Sequence, residues 1–277
     1  MNKKRLFLLI SAIMLLFVIS GCASASSELI TTETTFQEIK EEGVFAAIFT
    51  WPFAQAINFL APKISVAGAI TVVTVVLNAI ILAFTYKSSV SMQRMQTIQP
   101  ELEKIQKKYE GKTDNTSQQR MAMEMQNLYQ KYDIHPFGAL AVTFIQLPVL
   151  ISMYTAVRRS EAVVNGSFFG YTLSTTPMDA FKQGAFILVA VYVLMIVTQF
   201  LSIKLPQILA NQKAKAEAEA KHKHYEKPQQ QNQMMTYSML LMISFMMLNW
   251  PTALSLYYCI YSVINIAKTL VINKLVK

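Results

Sequence analysis

Residues 66–86 carry no charged side chain, which is enough chain for a helix to cross the roughly 30 Å hydrocarbon core of a bilayer. The polar residues in this run are ordered. Thr71, Thr74, Asn78 and Thr85 follow one another at steps of 3, 4 and 7, so they share one face of a helix. An amide near the middle of a membrane span is costly unless protein or water satisfies it. This stripe therefore predicts a protein interior or a water-filled recess, which other segments must help to build.

Composition supports a membrane setting. Of 277 residues, 53% are hydrophobic and only 15% charged, against about a quarter charged in a soluble domain. The formal net charge of +9 comes from basic residues between apolar runs, where they orient a membrane protein. No sequence-specific nucleic-acid binding is expected.

The N-terminus reads as a secretory signal: basic Lys3, Lys4 and Arg5, an apolar run from Leu6 to Ile19, then Ser20, Gly21 and Cys22. Ile19 to Cys22 resembles a bacterial lipobox, which implies a lipoprotein signal peptide over 1–21 and a lipidated sulfur on Cys22. An uncleaved anchor helix is the alternative. Cys259, inside the last apolar run, reads as a packing residue.

Residues 22–65 form an extracytoplasmic tether and an interfacial helix. The tether is acidic, and Val44–Leu60 is aromatic-rich, short and broken by Pro52, which suits a helix lying on the membrane. Four further spans follow the first: 137–157, 184–203, 234–249 and 252–272. Between the first two, segment 87–135 predicts a pair of amphipathic helices. Ile98, Leu102, Ile105 and Tyr109 step by 4, 3 and 4, as do Met121, Met125, Leu128 and Tyr132, with a polar turn at 111–115. Each helix buries a narrow seam in the other, an antiparallel hairpin. Its outer faces hold eight Lys/Arg and six Asp/Glu over 87–135, a solvated surface or a docking surface. Pro206 ends the third span, and 207–233 reads as a charged, apolar-poor loop. Its His222 and His224 read as part of a basic stretch and not as metal ligands.

The expected fold is thus an all-α integral membrane protein with five transmembrane helices, forming a core over 66–273 with a short tail at 274–277. With the mature N-terminus outside, 87–135, 207–233 and the tail fall in the cytoplasm, in agreement with the positive-inside rule. No phosphate loop, metal-spaced cluster or nucleophile–base pair is present, so neither an enzyme nor a cofactor is expected. Uncharged polar faces recur instead, with Thr74 and Asn78 on the first span, Thr143 and Gln146 on the second, and Tyr258 and Ser262 on the fifth. Converging, they make a wet recess that lowers the cost of moving a polar segment part-way across a bilayer. A channel or small transporter lined by the same faces, and a scaffolding lipoprotein, stay open on these residues alone.

Certain strings resemble the YidC-type membrane protein insertases of the YidC/Oxa/Alb family, in the Gram-positive lipoprotein form. They are Gln99-Pro100-Glu101-Leu102 with Ile105 to Tyr109, Phe144 to Leu150 around Gln146-Leu147-Pro148, and Pro251 to Tyr258. The resemblance implies a hydrophilic groove that receives nascent membrane protein clients and passes them into lipid, alone or with the Sec translocon. It places Asn78 where the family usually has an Arg, matches Gln146 to the groove glutamine, and sets Tyr258 where a Trp is usual. The short tail leaves residues 213–227 or the hairpin as the expected contact for a ribosome.

Overall fold

The computed structural model describes residues 28–220, 222 and 230–275. Residues 1–21, Cys22 and His224 lie outside them. Among the described residues the chain is helical, with only isolated bridges at Ile30–Ser160 and Phe168–Tyr171. It forms two compact units. One takes the chain to Ile81, then Thr143–Val197 and Ser244–Tyr261; the other takes Leu82–Val142, Thr198–Ile243 and the chain from Ser262 onward.

In the first unit, α1 (Phe36–Glu42) begins at a capping box in which Thr35 and Glu38 bond each other's main chain, satisfying two amides that a helix start leaves orphaned. A π-helical turn, Ala46–Thr50, then leads into α2 (Trp51–Ile64). Pro52 does not break this stretch as expected. It stands in the first turn of α2, where a missing N–H costs no hydrogen bond.

Nor are residues 28–35 a loose tether. The main chain of Ile30 pairs with Arg159 and Glu161, and Trp51 Nε1 donates to the Thr34 carbonyl at 2.9 Å. Asn58 joins three segments: its Nδ2 donates to the Ile30 carbonyl at 2.6 Å, and its Oδ1 accepts from Ser160 Oγ at 2.6 Å and from the Ala162 amide at 3.0 Å. Arg159 donates two hydrogen bonds to the Glu42 carboxylate, at 2.6 and 2.7 Å, and a third to the Glu28 carbonyl. Beneath this layer Ile30, Ile39, Ala47, Ala54 and Ala156 form an apolar cluster.

The membrane-length helices follow. Helix α3 (Val66–Thr97) outruns the predicted 66–86, because Lys87 to Thr97 hold no Gly or Pro and include good helix formers. Two short helices, α4 (Gln99–Lys108) and α5 (Asn115–Lys131), pack on each other around Ile98, Leu102, Leu128 and Ile134. Pro100 lies in the first turn of α4 and Asp114 caps α5 by accepting from the Ser117 amide at 2.8 Å. Helix α6 (Pro136–Arg159) runs continuously through Pro148. Two short helices, α7 (Glu161–Asn165) and α8 (Pro177–Lys182), replace what reads in the sequence as a plain loop.

Helix α9 (Phe186–Ala220) does not stop at residue 203, and residues 207–220 belong to it and not to a loop. An interior proline costs about 3 kcal/mol. Downstream of Pro206, however, comes an Ala/Lys/Glu/Gln-rich stretch of strong helix formers, with Lys215 paired to Glu219 one turn on. Helices α10 (Gln230–Met247) and α11 (Thr252–Leu275) complete the chain. Among the described residues, three helices are long and apolar enough to cross a membrane: α3, α9 and α11.

Candidate functional site

Three members of the polar stripe on α3 are satisfied from within their own helix. Thr71 Oγ1 donates to the Ala67 carbonyl at 2.7 Å, Thr74 Oγ1 to Ile70 at 2.6 Å, and Asn78 Nδ2 to Thr74 at 2.8 Å. Each carbonyl lies four residues back, where a second lone pair is free to accept. Thr74 is fully buried and Asn78 nearly so. These three side chains are thus satisfied in a low-dielectric setting by their own helix, and Asn78 keeps donor and acceptor capacity beyond that bond.

On α6, Gln146 Nε2 donates to the Tyr257 hydroxyl of α11 at 3.3 Å. Tyr257 is fully buried and packs edge-on to Tyr258, with ring centroids 5.3 Å apart, and parallel to Tyr261 at 6.2 Å. Tyr258 also meets Tyr261 edge-on. Three phenol rings at positions i, i+1 and i+4 of one helix give a rigid surface with hydroxyl edges, and Gln146 anchors it from the neighbouring helix. Ser152 and Ser255 lie fully buried close by in sequence, and their hydroxyl oxygens have no hydrogen-bond partner.

The residues singled out by sequence therefore fall into separate groups. Asn78 and Thr74 form one hydrogen-bonded pair. Gln146 and Tyr258 both meet Tyr257, the first by a hydrogen bond and the second edge-on. Ser262 belongs to the second unit, where its Oγ donates to Gln199 Oε1 at 2.5 Å. The side chain of Thr143 and all of Cys22 lie outside the described residues. Tyr257, Tyr261 and Gln199 escaped the sequence reading. The four-residue step from Tyr257 to Tyr261 marks a second stripe, and Thr198-Gln199 interrupts an otherwise apolar run, so both signals were present in the sequence. Among the described residues no three His, Cys, Asp or Glu side chains come together as a metal site. What the arrangement offers is neutral hydrogen bonding inside helices of membrane length.

Comparison with known proteins bears on the same segments. The family described as 60Kd inner membrane protein matches residues 59–277. Membrane protein insertase YidC 1 of Listeria monocytogenes is 30% identical over 280 residues, covering 99% of this chain and 86% of that protein. Membrane protein insertase YidC of Oceanobacillus iheyensis is 27% identical over 274 residues, covering 98% and 97%. Membrane protein insertase MisCA of Bacillus subtilis is 27% identical over 273 residues, covering 98% and 92%. A match over most of the chain, on the segments that carry the polar faces, establishes that this protein belongs to the 60Kd inner membrane protein family, the YidC-type membrane protein insertases.

Proposed function

We propose that this chain inserts client proteins into the cytoplasmic membrane, and helps them fold there, through an intramembrane polar groove lined by Asn78, Gln146 and Tyr258, with Thr74. The observation that carries this reading is the neutral, hydrogen-bonding character of these groups. Asn78 is held by the Thr74 carbonyl and Gln146 by the Tyr257 hydroxyl. A polar client segment entering such a recess exchanges water for protein hydrogen bonds, while its apolar part moves into lipid. Each step lowers a desolvation cost, so no covalent chemistry, nucleotide or cofactor is required.

In this reading helices α3, α6, α9, α10 and α11 are five spans, with the mature N-terminus outside and lipidated at Cys22, and the C-terminus in the cytoplasm. Helices α4 and α5 form an antiparallel cytoplasmic hairpin. Helix α2 and the π-helical turn before it lie in the outer interface; Val44, Ile48, Phe59 and Ile64 are exposed and face lipid in this reading. Asn78 stands where the family usually places an Arg, so client capture rests on hydration and hydrogen bonding and not on a fixed cation. Clients with few acidic residues are handled best. The Sec translocon and the ribosome are partners in the same reading.

The decisive experiment is reconstitution. Purified protein in liposomes inserts a small single-span client without nucleotide, and an arrested client crosslinks to positions 78, 146 and 258. No adduct at any of the three overturns the groove. Steady solute flux without insertion replaces this function with that of a channel or small transporter.

A further inference from the structure

Residues 166–171 form a tight turn between α7 and α8. Phe168 and Tyr171 exchange both main-chain hydrogen bonds, at 2.7 and 3.1 Å, which leaves Phe169 and Gly170 as a two-residue tip. Both have positive φ, 52° and 85°, the pattern of a type I′ hairpin turn. The first tip position of such a turn favours Asn, Asp or Gly, because a Cβ is crowded there. A phenylalanine in this conformation is an outlier for a bulky residue. Burial within the protein does not explain it, since Phe169 is 76% exposed and its ring meets Phe168 edge-on at 4.8 Å. Strain that persists at an exposed tip points to a contact outside the fold.

The surroundings identify that contact. Phe181 and Phe186 are also largely exposed. Phe186 is the first residue of α9, a helix of membrane length whose exposed face continues with Val193, Leu194 and Val197. The loop is stitched to the ends of two further helices: the Met178 amide donates to the Leu248 carbonyl at 3.1 Å, and the Thr252 amide to the Thr175 carbonyl at 2.9 Å. The segment that carries the aromatic turn is thus tied to the end of α10 and the start of α11 and runs directly into α9. Aromatic side chains concentrate at the membrane–water boundary.

We propose that the 166–171 turn is a membrane-anchoring finger, in which Phe169, supported by Phe168 and Phe181, inserts at the headgroup–acyl boundary of the lipid and fixes the depth at which α9 enters it. Apolar burial in lipid offsets the backbone strain at Phe169.

The test uses the full chain in vesicles of phosphatidylethanolamine and phosphatidylglycerol. Phe169→Trp is compared with Lys182→Trp, an exposed position at the end of α8, each as the difference from the unsubstituted protein. The expected result is at least twofold stronger quenching at 169 than at 182 by lipids brominated on the acyl chain, and at least twofold weaker quenching by aqueous iodide. Equal iodide quenching at the two positions overturns the proposal. So does protection of 169 from both quenchers, which places the ring against another protein. A second variant tests the strain: Phe169→Asn, which suits the turn, melts in detergent no lower than the unsubstituted protein. A lower melting temperature means that the ring packs within the fold, and also overturns the proposal.

Discussion

Arg159 holds Glu42 at 2.6 Å, and Lys108 holds Glu124 at the same 2.6 Å. The side chains of the first pair are 5% and 19% exposed, those of the second 58% and 36%. Equal geometry therefore does not mean equal worth. The buried pair is locked by a third bond to the Glu28 carbonyl and sits in a layer where Asn58 also leaves no polar atom to water. Removing one partner there strands a charge in a medium that cannot solvate it. The exposed pair on α4 and α5 trades protein contact for water at little net gain, and salt screens it. One region is built to be rigid, the other to stay soluble and available.

The largest effect is expected from Arg159→Ala or Glu42→Ala. Either costs about 3–5 kcal/mol, because the remaining charge is buried and unpaired, read as a fall in melting temperature of the detergent-solubilised protein. The double replacement Arg159→Met with Glu42→Leu recovers most of the loss. If each single variant melts like the parent, the buried layer is not what holds the N-terminal segment. Next comes Asn58→Ala, which unpairs groups on three segments at a cost of about 1–3 kcal/mol.

Gln146→Leu sharpens the contrast differently. An interhelical hydrogen bond in a membrane averages about 0.6 kcal/mol, so melting hardly moves, whereas client insertion by proteoliposomes falls several-fold. Unchanged insertion would reduce Gln146 to a packing residue. The smallest effect belongs to Lys108→Ala and Glu124→Gln, whose melting temperatures match the parent at physiological salt.

The same pair sets a pH window. Hydrogen bonds from Lys108 and then Tyr109 hold the Glu124 carboxyl below its ordinary range, and the bond to Glu124 raises the Lys108 ammonium. A depressed carboxylate contributes above its unfolded pKa of about 4.3 and loses that contribution as pH falls through the lower folded value. A raised ammonium contributes fully below its unfolded pKa of about 10.4 and loses it as pH rises past the higher one. The protection of α4 and α5 amides, corrected for intrinsic exchange, therefore gains no pH dependence from this pair between these limits, and Glu124→Gln removes both limbs, because the raise of Lys108 rests chiefly on Glu124.

The paired helices were legible because their signal is local. The steps 98, 102, 105, 109 and 121, 125, 128, 132 describe a seam that the structure fills with Ile98, Leu102, Ile105, Met125, Leu128 and Tyr132. The continuation of α9 through Pro206 was not legible, because one strong breaker outweighed many weak helix formers in the sequence while their sum wins in the fold. At the site, Gln146 was legible as a polar residue in an apolar run. Its partner was not, since Tyr257 lies 111 residues away and its neighbour Tyr258 fits the sequence stripe better.

The sequence by itself determined that helices of membrane length carry ordered polar faces, because periodicity and the cost of burying an amide are properties of a single segment. Only the tertiary structure decided which polar groups meet. Glu42 and Arg159 are 117 residues apart, Asn58 and Ser160 are 102 apart, and no local rule couples them. Their pairing follows from how the helices pack, and packing is where the buried charges and amides find the partners that make their burial tolerable.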